Sequence, residues 1–233
     1  MLDRRPLELE TLAMNAVALL LADSRFPAGG YAHSLGLEQA VAEGLAADGV
    51  AAFIAARLRL VAGPDAALSV AALRAADDAG ALAQLDDEHA ARCPSPVLRD
   101  VARRLGAQLL RSAATAWPDA AAIERYRGAS TTTPRPVALG VVGAAAGLDA
   151  VELATVALYD DAATVASAAL KLLALDPAQT ARWLAQLAPA ISATAAEVAE
   201  DERPPAAQPP PTAPGLELAA ARHAARTERL FVS

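Results

Sequence analysis

Alanine carries most of the apolar content of this chain, and that restricts its fold more than any motif does. Hydrophobic residues make up 55% of the 233, yet aromatics only 3%. Alanine is the best helix former, and the residues that favour strands are scarce. Small side chains also let helix axes approach closely. The expected fold is therefore all-α: a single helical-bundle-like domain over residues 1–202, a Pro-rich linker over 203–215 and a C-terminal amphipathic helix over 216–233. The formal net charge of −7 leaves no basic face for nucleic acid. One cysteine, Cys93, excludes an internal disulfide framework and fits a reducing compartment. Arg4-Arg5 ahead of an apolar run imitate a signal peptide, but Glu8 and Glu10 occupy the flank that should be basic. The apolar run Val137 to Leu148 is too short to cross a bilayer. The expectation is a cytoplasmic protein with no membrane partner.

Helical spacing places a first helix from Leu9 to Ala22, after a loose arm at 1–8. A second is expected from Ala32 to Glu43. Asp48 should cap a third that ends at Gly63-Pro64, and Asp65 a fourth that continues to Leu85. Asp86-Asp87-Glu88 opens a short acidic turn or helix that stops at Cys93-Pro94. Ser95-Pro96 starts a helix reaching Trp117, with serine as cap and proline at the first helical position. Pro136 opens an apolar helix with Gly140, Gly143 and Gly147 on one side, a cost of about 1 kcal/mol each that close packing must offset. Asp149 starts the next helix, and another runs from Ala178 to Ala199. Arg203 to Pro214 is too rich in proline for helix. Beyond it, Leu216, Ala220, His223, Thr227 and Leu230 form an apolar stripe beside a basic one of Arg222, Arg226 and Arg229.

The most unusual chemistry lies at Leu21-Ala22-Asp23-Ser24-Arg25-Phe26-Pro27-Ala28-Gly29-Gly30-Tyr31-Ala32-His33-Ser34-Leu35-Gly36-Leu37-Glu38. An apolar helix breaks at a Pro-Ala-Gly-Gly turn, and an aromatic, a histidine and a serine follow. This string resembles the N-terminal signature of the urease accessory protein F family (UreF), in which glycine is common at the position of Leu35. His223 and Arg229-Leu230-Phe231-Val232-Ser233 resemble the C-terminal end of that family, where glutamate is common at Ala224 and arginine at Val232. Lys171 stands where similar sequences commonly carry arginine. The resemblance implies a helical scaffold that acts with urease accessory protein D (also called H) and the GTPase accessory protein G on apo-urease, delivering nickel to its active site. It also implies a homodimer within such complexes, and no cofactor.

The residues themselves agree with a binding role rather than an enzymatic one. There is no Gly-x-x-x-x-Gly-Lys-Ser/Thr loop for a nucleotide. His33 and Ser34 are adjacent and cannot easily face each other as base and nucleophile. The candidate partner-binding residues are Arg25, Phe26, Gly29, Gly30, Tyr31, His33, Ser34 and Glu38 in the first motif. In the tail they are Leu216, His223, Arg226, Arg229, Leu230 and Phe231. Two alternatives stay open. Arg25 could be presented to the partner GTPase to accelerate hydrolysis. Alternatively His33, His223 and Cys93 could carry nickel weakly; His89 and Cys93, four apart, supply two ligands where a structural site wants four. The apolar stripe of the tail has no evident place in its own chain, which favours a tail that orders on a partner.

Overall fold

The computed structural model describes residues 16–208 and 213–232, and among these there is no strand. The expected arm at 1–8, the start of the first helix and the middle of the Pro-rich run lie outside the described residues. The helices are α1 (Ala16–Ala22), α2 (Leu37–Ala42), α3 (Val50–Arg57), α4 (Gly63–Arg74), α5 (Ala79–Arg92), α6 (Pro96–Ala116), α7 (Ala121–Ala129), α8 (Arg135–Ala145), α9 (Ala150–Leu172), α10 (Pro177–Glu200) and α11 (Pro214–Ala224).

Local signals explain several boundaries. Ser95 Oγ accepts from the Leu98 N–H at the start of α6, and Asp176 accepts from Ala178 N–H at the start of α10. Asp149 and Glu152 form a reciprocal capping box at α9, which satisfies two otherwise orphaned donors. Other boundaries differ from expectation. Asp48 lies inside a 3-10 turn, Ala47–Gly49, and makes no side-chain cap. Gly63-Pro64 does not end the third helix. A π-helical stretch, Leu58–Ala62, shifts the hydrogen-bond register and carries the chain straight into α4, so proline's missing N–H breaks nothing. The expected helix from Asp65 to Leu85 is interrupted after Arg74, and Asp78 caps α5 by accepting from the Gly80 and Ala81 N–H groups.

The centre is built from α4, α8 and α9, with α6 and α7 against α8 and α10 and α1 against α9. Residues Pro136 to Gly143 of α8 are all buried. Its contact with α4 is backbone on backbone: a Cβ at Gly140 would sit 2.2 Å from the Ser69 carbonyl oxygen and 2.6 Å from the Ala72 Cβ. The glycine cost at Gly140 and Gly143 is thus offset as expected, with Leu153 filling the space beside Gly143, whereas Gly147 lies beyond the end of α8 with φ 73° and faces open space. By length and apolarity α9 could span a bilayer, but Leu153, Leu158, Ala162 and Val165 put its inner face in the core. On the flank, buried Tyr126 donates to Asp86 Oδ1 at 2.6 Å and Ser130 donates to Asp86 Oδ2, so the acidic run contributes a structural hydrogen-bond acceptor.

The Pro-rich segment is tied to the body where it is described. Arg92 donates to the carbonyls of Pro205 and Gln208, and Pro205–Ala207 form a 3-10 turn against α4 and α5. The helix beyond it is shorter than the expected Leu216 to Ser233. It begins at Pro214 and ends at Ala224, and residues 225–232 continue as turns and bends. Only Leu216, Ala220 and His223 therefore share a helical stripe; Thr227 and Leu230 are exposed, and Phe231 is the residue that buries.

Candidate functional site

The first motif does not form the helix expected from Ala32. A 3-10 turn, Gly30–Ala32, is followed by extended His33 and then by two left-handed residues, Leu35 at φ 53° and Gly36 at φ 91°. An α-helix cannot run through that pair, so α2 starts only at Leu37. Arg57, buried on α3, holds the strained loop. Its Nη1 donates to the Leu35 carbonyl at 3.0 Å, while Nε and Nη2 fork onto Asp161 of α9 at 3.1 and 2.6 Å. On the other side α6 pins the Pro-Ala-Gly-Gly turn: Gln108 and Ser112 both donate to the Pro27 carbonyl, at 2.9 and 2.7 Å. Phe26 packs against Trp117, ring centroids 6.4 Å apart. Gly29 lies over Leu105 and Gln108 with φ 85°, and Gly30 faces Thr164.

Glu38 is where the first motif and the tail meet. The residue is only 6% exposed. One carboxylate oxygen faces His223 Nε2 at 2.7 Å and accepts from the Phe231 N–H at 3.0 Å; the other accepts from the Leu230 N–H at 2.7 Å. Ser34 Oγ accepts from the Glu38 N–H and closes the turn from within. Burial pushes the Glu38 carboxyl upward, but the donors from Leu230, His223 and Phe231 outweigh it and hold it below the usual range. The Val232 N–H then donates to the Ala32 carbonyl at 2.9 Å. We refer to this arrangement as the clasp.

Lys171, at the end of α9, completes it. Its ammonium lies 4.3 Å from the Tyr31 ring centroid and 5.1 Å from that of Phe231, and donates to the Tyr31 carbonyl at 3.4 Å. A point charge placed between two ring faces suits lysine, and no bidentate acceptor is needed there.

The candidate residues divide into two groups. Gly29, Gly30, His33, Ser34, Glu38, Leu216, His223 and Phe231 face inward and hold the clasp or its supports. His33 is buried, and burial together with nearby Arg135 and Arg104 pushes its pKa down. Tyr31 at 75%, Leu230 at 62% and Val232 at 51% exposure form an outer face, with exposed Arg229 beside them. Arg25 is also exposed, but its guanidinium folds back on Asp23, with Nε 3.0 Å from both carboxylate oxygens, and that contact lowers the Asp23 pKa to about 2. The expected basic stripe is split: Arg222 pairs with Glu43 at 2.9 Å, Arg226 is half-buried, and Arg229 faces solvent. Glu38 and His223 are too far apart in sequence for spacing to pair them. Arg57 and Asp161 did carry a signal: charges on otherwise apolar helix faces, which burial forces to pair.

Behind the clasp a cavity of about 650 Å³ lies between α4, α6, α9 and α11. Among the described residues, no three of His, Cys, Asp and Glu are close enough to share a metal ion. Cys93 is a poor ligand in this setting, because burial and nearby Asp65 push its thiol up to about 11.

The described residues thus form an all-helical body in which two segments distant in sequence are joined at a buried carboxylate, with an aromatic and apolar face outside the joint. The UreF family profile matches residues 45–188, a stretch that includes neither half of the clasp. A urease accessory protein UreF of Mycolicibacterium vanbaalenii is 36% identical over 220 residues, covering 94% of this chain and 98% of the relative. One from a Mycobacterium species, strain JLS, is 38% identical over 92% of this chain and 97% of its own length. A Mycobacterium tuberculosis relative is 37% identical, with 94% and 98% covered. The chain belongs to the UreF family of urease accessory proteins.

Proposed function

We propose that this chain is a cytoplasmic maturation scaffold for urease, which joins accessory protein D or H and the GTPase accessory protein G to apo-urease while nickel, the cargo, is inserted. The observation that carries this reading is the outer face of the clasp. Tyr31, Leu230 and Val232 stand exposed on a support built from two distant segments, Lys171 and a buried carboxylate. Apolar and aromatic side chains on a rigid base are what a partner's hot spot needs, because little side-chain or loop entropy is lost on docking. The tail is already seated in the single chain, so partners would read a prepared surface. The scaffold influences the GTPase only insofar as it binds one nucleotide state better than the other. Homodimerisation within the assembly belongs to the same reading.

The test is co-expression with the cognate accessory proteins, followed by light scattering of the purified complex. Tyr31→Ala with Leu230→Ala removes exposed groups and, from the clasp, only the Lys171–Tyr31 ring contact, worth about 0.5 to 1 kcal/mol at an exposed site, so the thermal midpoint should fall by no more than about 4 °C while the complex is lost. A complex of unchanged stoichiometry and affinity would overturn the assignment of this face.

A second reading rests on the exposed Arg25 guanidinium at the rim of the Pro-Ala-Gly-Gly turn. If it completes the partner's GTPase site, Arg25→Ala should slow single-turnover GTP hydrolysis in the assembled complex without dissociating it. Unchanged turnover would leave pure scaffolding.

A further inference from the structure

The cavity behind the clasp has a charge arrangement that the scaffold role does not use. Leu68 of α4, Val101 and Leu105 of α6, and Leu216 and Ala220 of α11 make its apolar walls. Two ion pairs also line it, Arg57 with Asp161 and Arg135 with Asp160. Arg104 and Arg103 both pair with Asp100, Arg92 pairs with Glu88, and Glu217 and Arg229 bring one charge of each sign. Asp65 has no such direct partner. It lines the cavity from the first turn of α4, and no hydrogen bond or ion pair to its carboxyl is found among the described residues. Burial, and then the neighbouring Asp161, push its pKa up to about 7, with Arg57 and Arg135 only partly opposing. His89, also on the wall, is pushed down to about 4 by burial and adds no positive charge near neutrality. The volume falls within the range of small-molecule sites, which are mostly apolar with a few placed polar groups.

We propose that this cavity binds a small organic monocation, an ammonium or amidinium on an apolar body, with Asp65 as its counter-ion and the Leu68, Val101 and Leu216 walls covering the body. An anion would meet a carboxyl that has no direct ion-pair partner. A metal ion would lack a set of three ligands. A cation with an apolar body satisfies both the charge and the walls, and below about pH 7 its binding releases the proton that Asp65 holds. The inference does not depend on the urease role.

The probes are benzamidine, an aromatic amidinium, and its near-isosteric neutral partner benzamide, titrated calorimetrically into the full-length protein at pH 8. Benzamidine should bind roughly tenfold or more tightly than benzamide, the margin of one charge-assisted contact. Its affinity should fall as pH is lowered through 7, with proton release seen as a dependence on buffer ionisation enthalpy. Asp65→Asn should erase the preference, and Leu216→Trp, which fills the space from α11, should block both probes. Equal affinities in the wild type, no saturable binding at millimolar probe, or a preference surviving in Asp65→Asn would each overturn the proposal. If Asp65→Asn does not fold, the wild-type ratio and its pH dependence decide.

Discussion

Glu38→Gln isolates the clasp. The substitution keeps shape and size but replaces one carboxylate oxygen, an acceptor, with an amide nitrogen, a donor. In the native arrangement both oxygens are fully used, by Phe231 N–H and His223 on one side and Leu230 N–H on the other. Whichever way the amide turns, an NH₂ faces a backbone N–H. At least one charge-assisted bond is lost, worth about 1.5 to 3 kcal/mol, and a buried donor is left unpaired at about 1 to 3 kcal/mol more. Some relief from water entry is expected once the tail lifts, so the net effect on the tail should be about 3 kcal/mol. That is about a hundredfold increase in opening. Native-state hydrogen exchange reads it directly: the amides of Leu230, Phe231 and Val232 should exchange about a hundredfold faster. The amides of α9 should change far less. The pH dependence has a definite sign. Because Glu38 is held below its ordinary range in the folded state, its contribution is complete above the unfolded value near 4.3 and is lost as pH falls through the folded value. The wild type in acid should therefore show the loose tail that Glu38→Gln shows at neutrality. Unchanged exchange at 230–232, or equal acceleration throughout the protein, would refute the idea that Glu38 holds the tail as a local lock.

Five further outcomes follow from the geometry. Gly140→Ala drives a Cβ to 2.2 Å from a backbone oxygen that cannot move alone, and should cost at least about 3 kcal/mol in denaturant unfolding. Gly128→Ala in α7, which meets open space, should be neutral or stabilise by up to about 1 kcal/mol. Leu35→Gly should shift the thermal midpoint by no more than about 4 °C. Relief of left-handed strain, about 1 to 2 kcal/mol, is offset by glycine's extra chain entropy and the loss of a half-buried leucine. Leu37→Ala, two residues on and fully buried, should cost about 2 to 5 kcal/mol. Asp65→Asn should raise stability at pH 8 and leave it nearly unchanged at pH 4. The folded state holds the Asp65 proton up to about 7 and the unfolded chain releases it near 3.8, so wild-type stability from this group falls as pH rises between them, by at most about 4 kcal/mol. A flat difference between pH 4 and pH 8 would refute the assignment.

Local chemistry made much of this legible in one dimension. The caps at Ser95, Asp149 and Asp176 operate within three residues, so the starts of α6, α9 and α10 could be read without knowing the fold. The alanine bias and the glycines of α8 announced close helix contact in the same way. What failed was non-local or conformational. Gly63-Pro64 reads as a stop unless the π stretch before it is known, and that register shift has no residue code. Leu35 reads as helical by propensity, yet Arg57, anchored by Asp161, holds its carbonyl in a left-handed bend. The tail stripe was visible, but its resting place was not. A stripe shows that a face must be covered, and the cover comes from α2 and α6, more than a hundred residues upstream. Many of the motif residues that read as partner contacts also contact one another within the chain.

The clasp also has a bearing on the order of folding. Glu38 and Phe231 are separated by 193 positions, so their contact closes one of the longest loops the chain can make. Such contacts are entropically late, because shorter loops must close before the ends are near each other. The body from α3 to α10 can assemble without the clasp, which would then form on a surface already made. In kinetic terms Glu38 should belong to the steps after the barrier. Weakening it should hasten the departure of the native state and leave the rate of reaching it almost untouched.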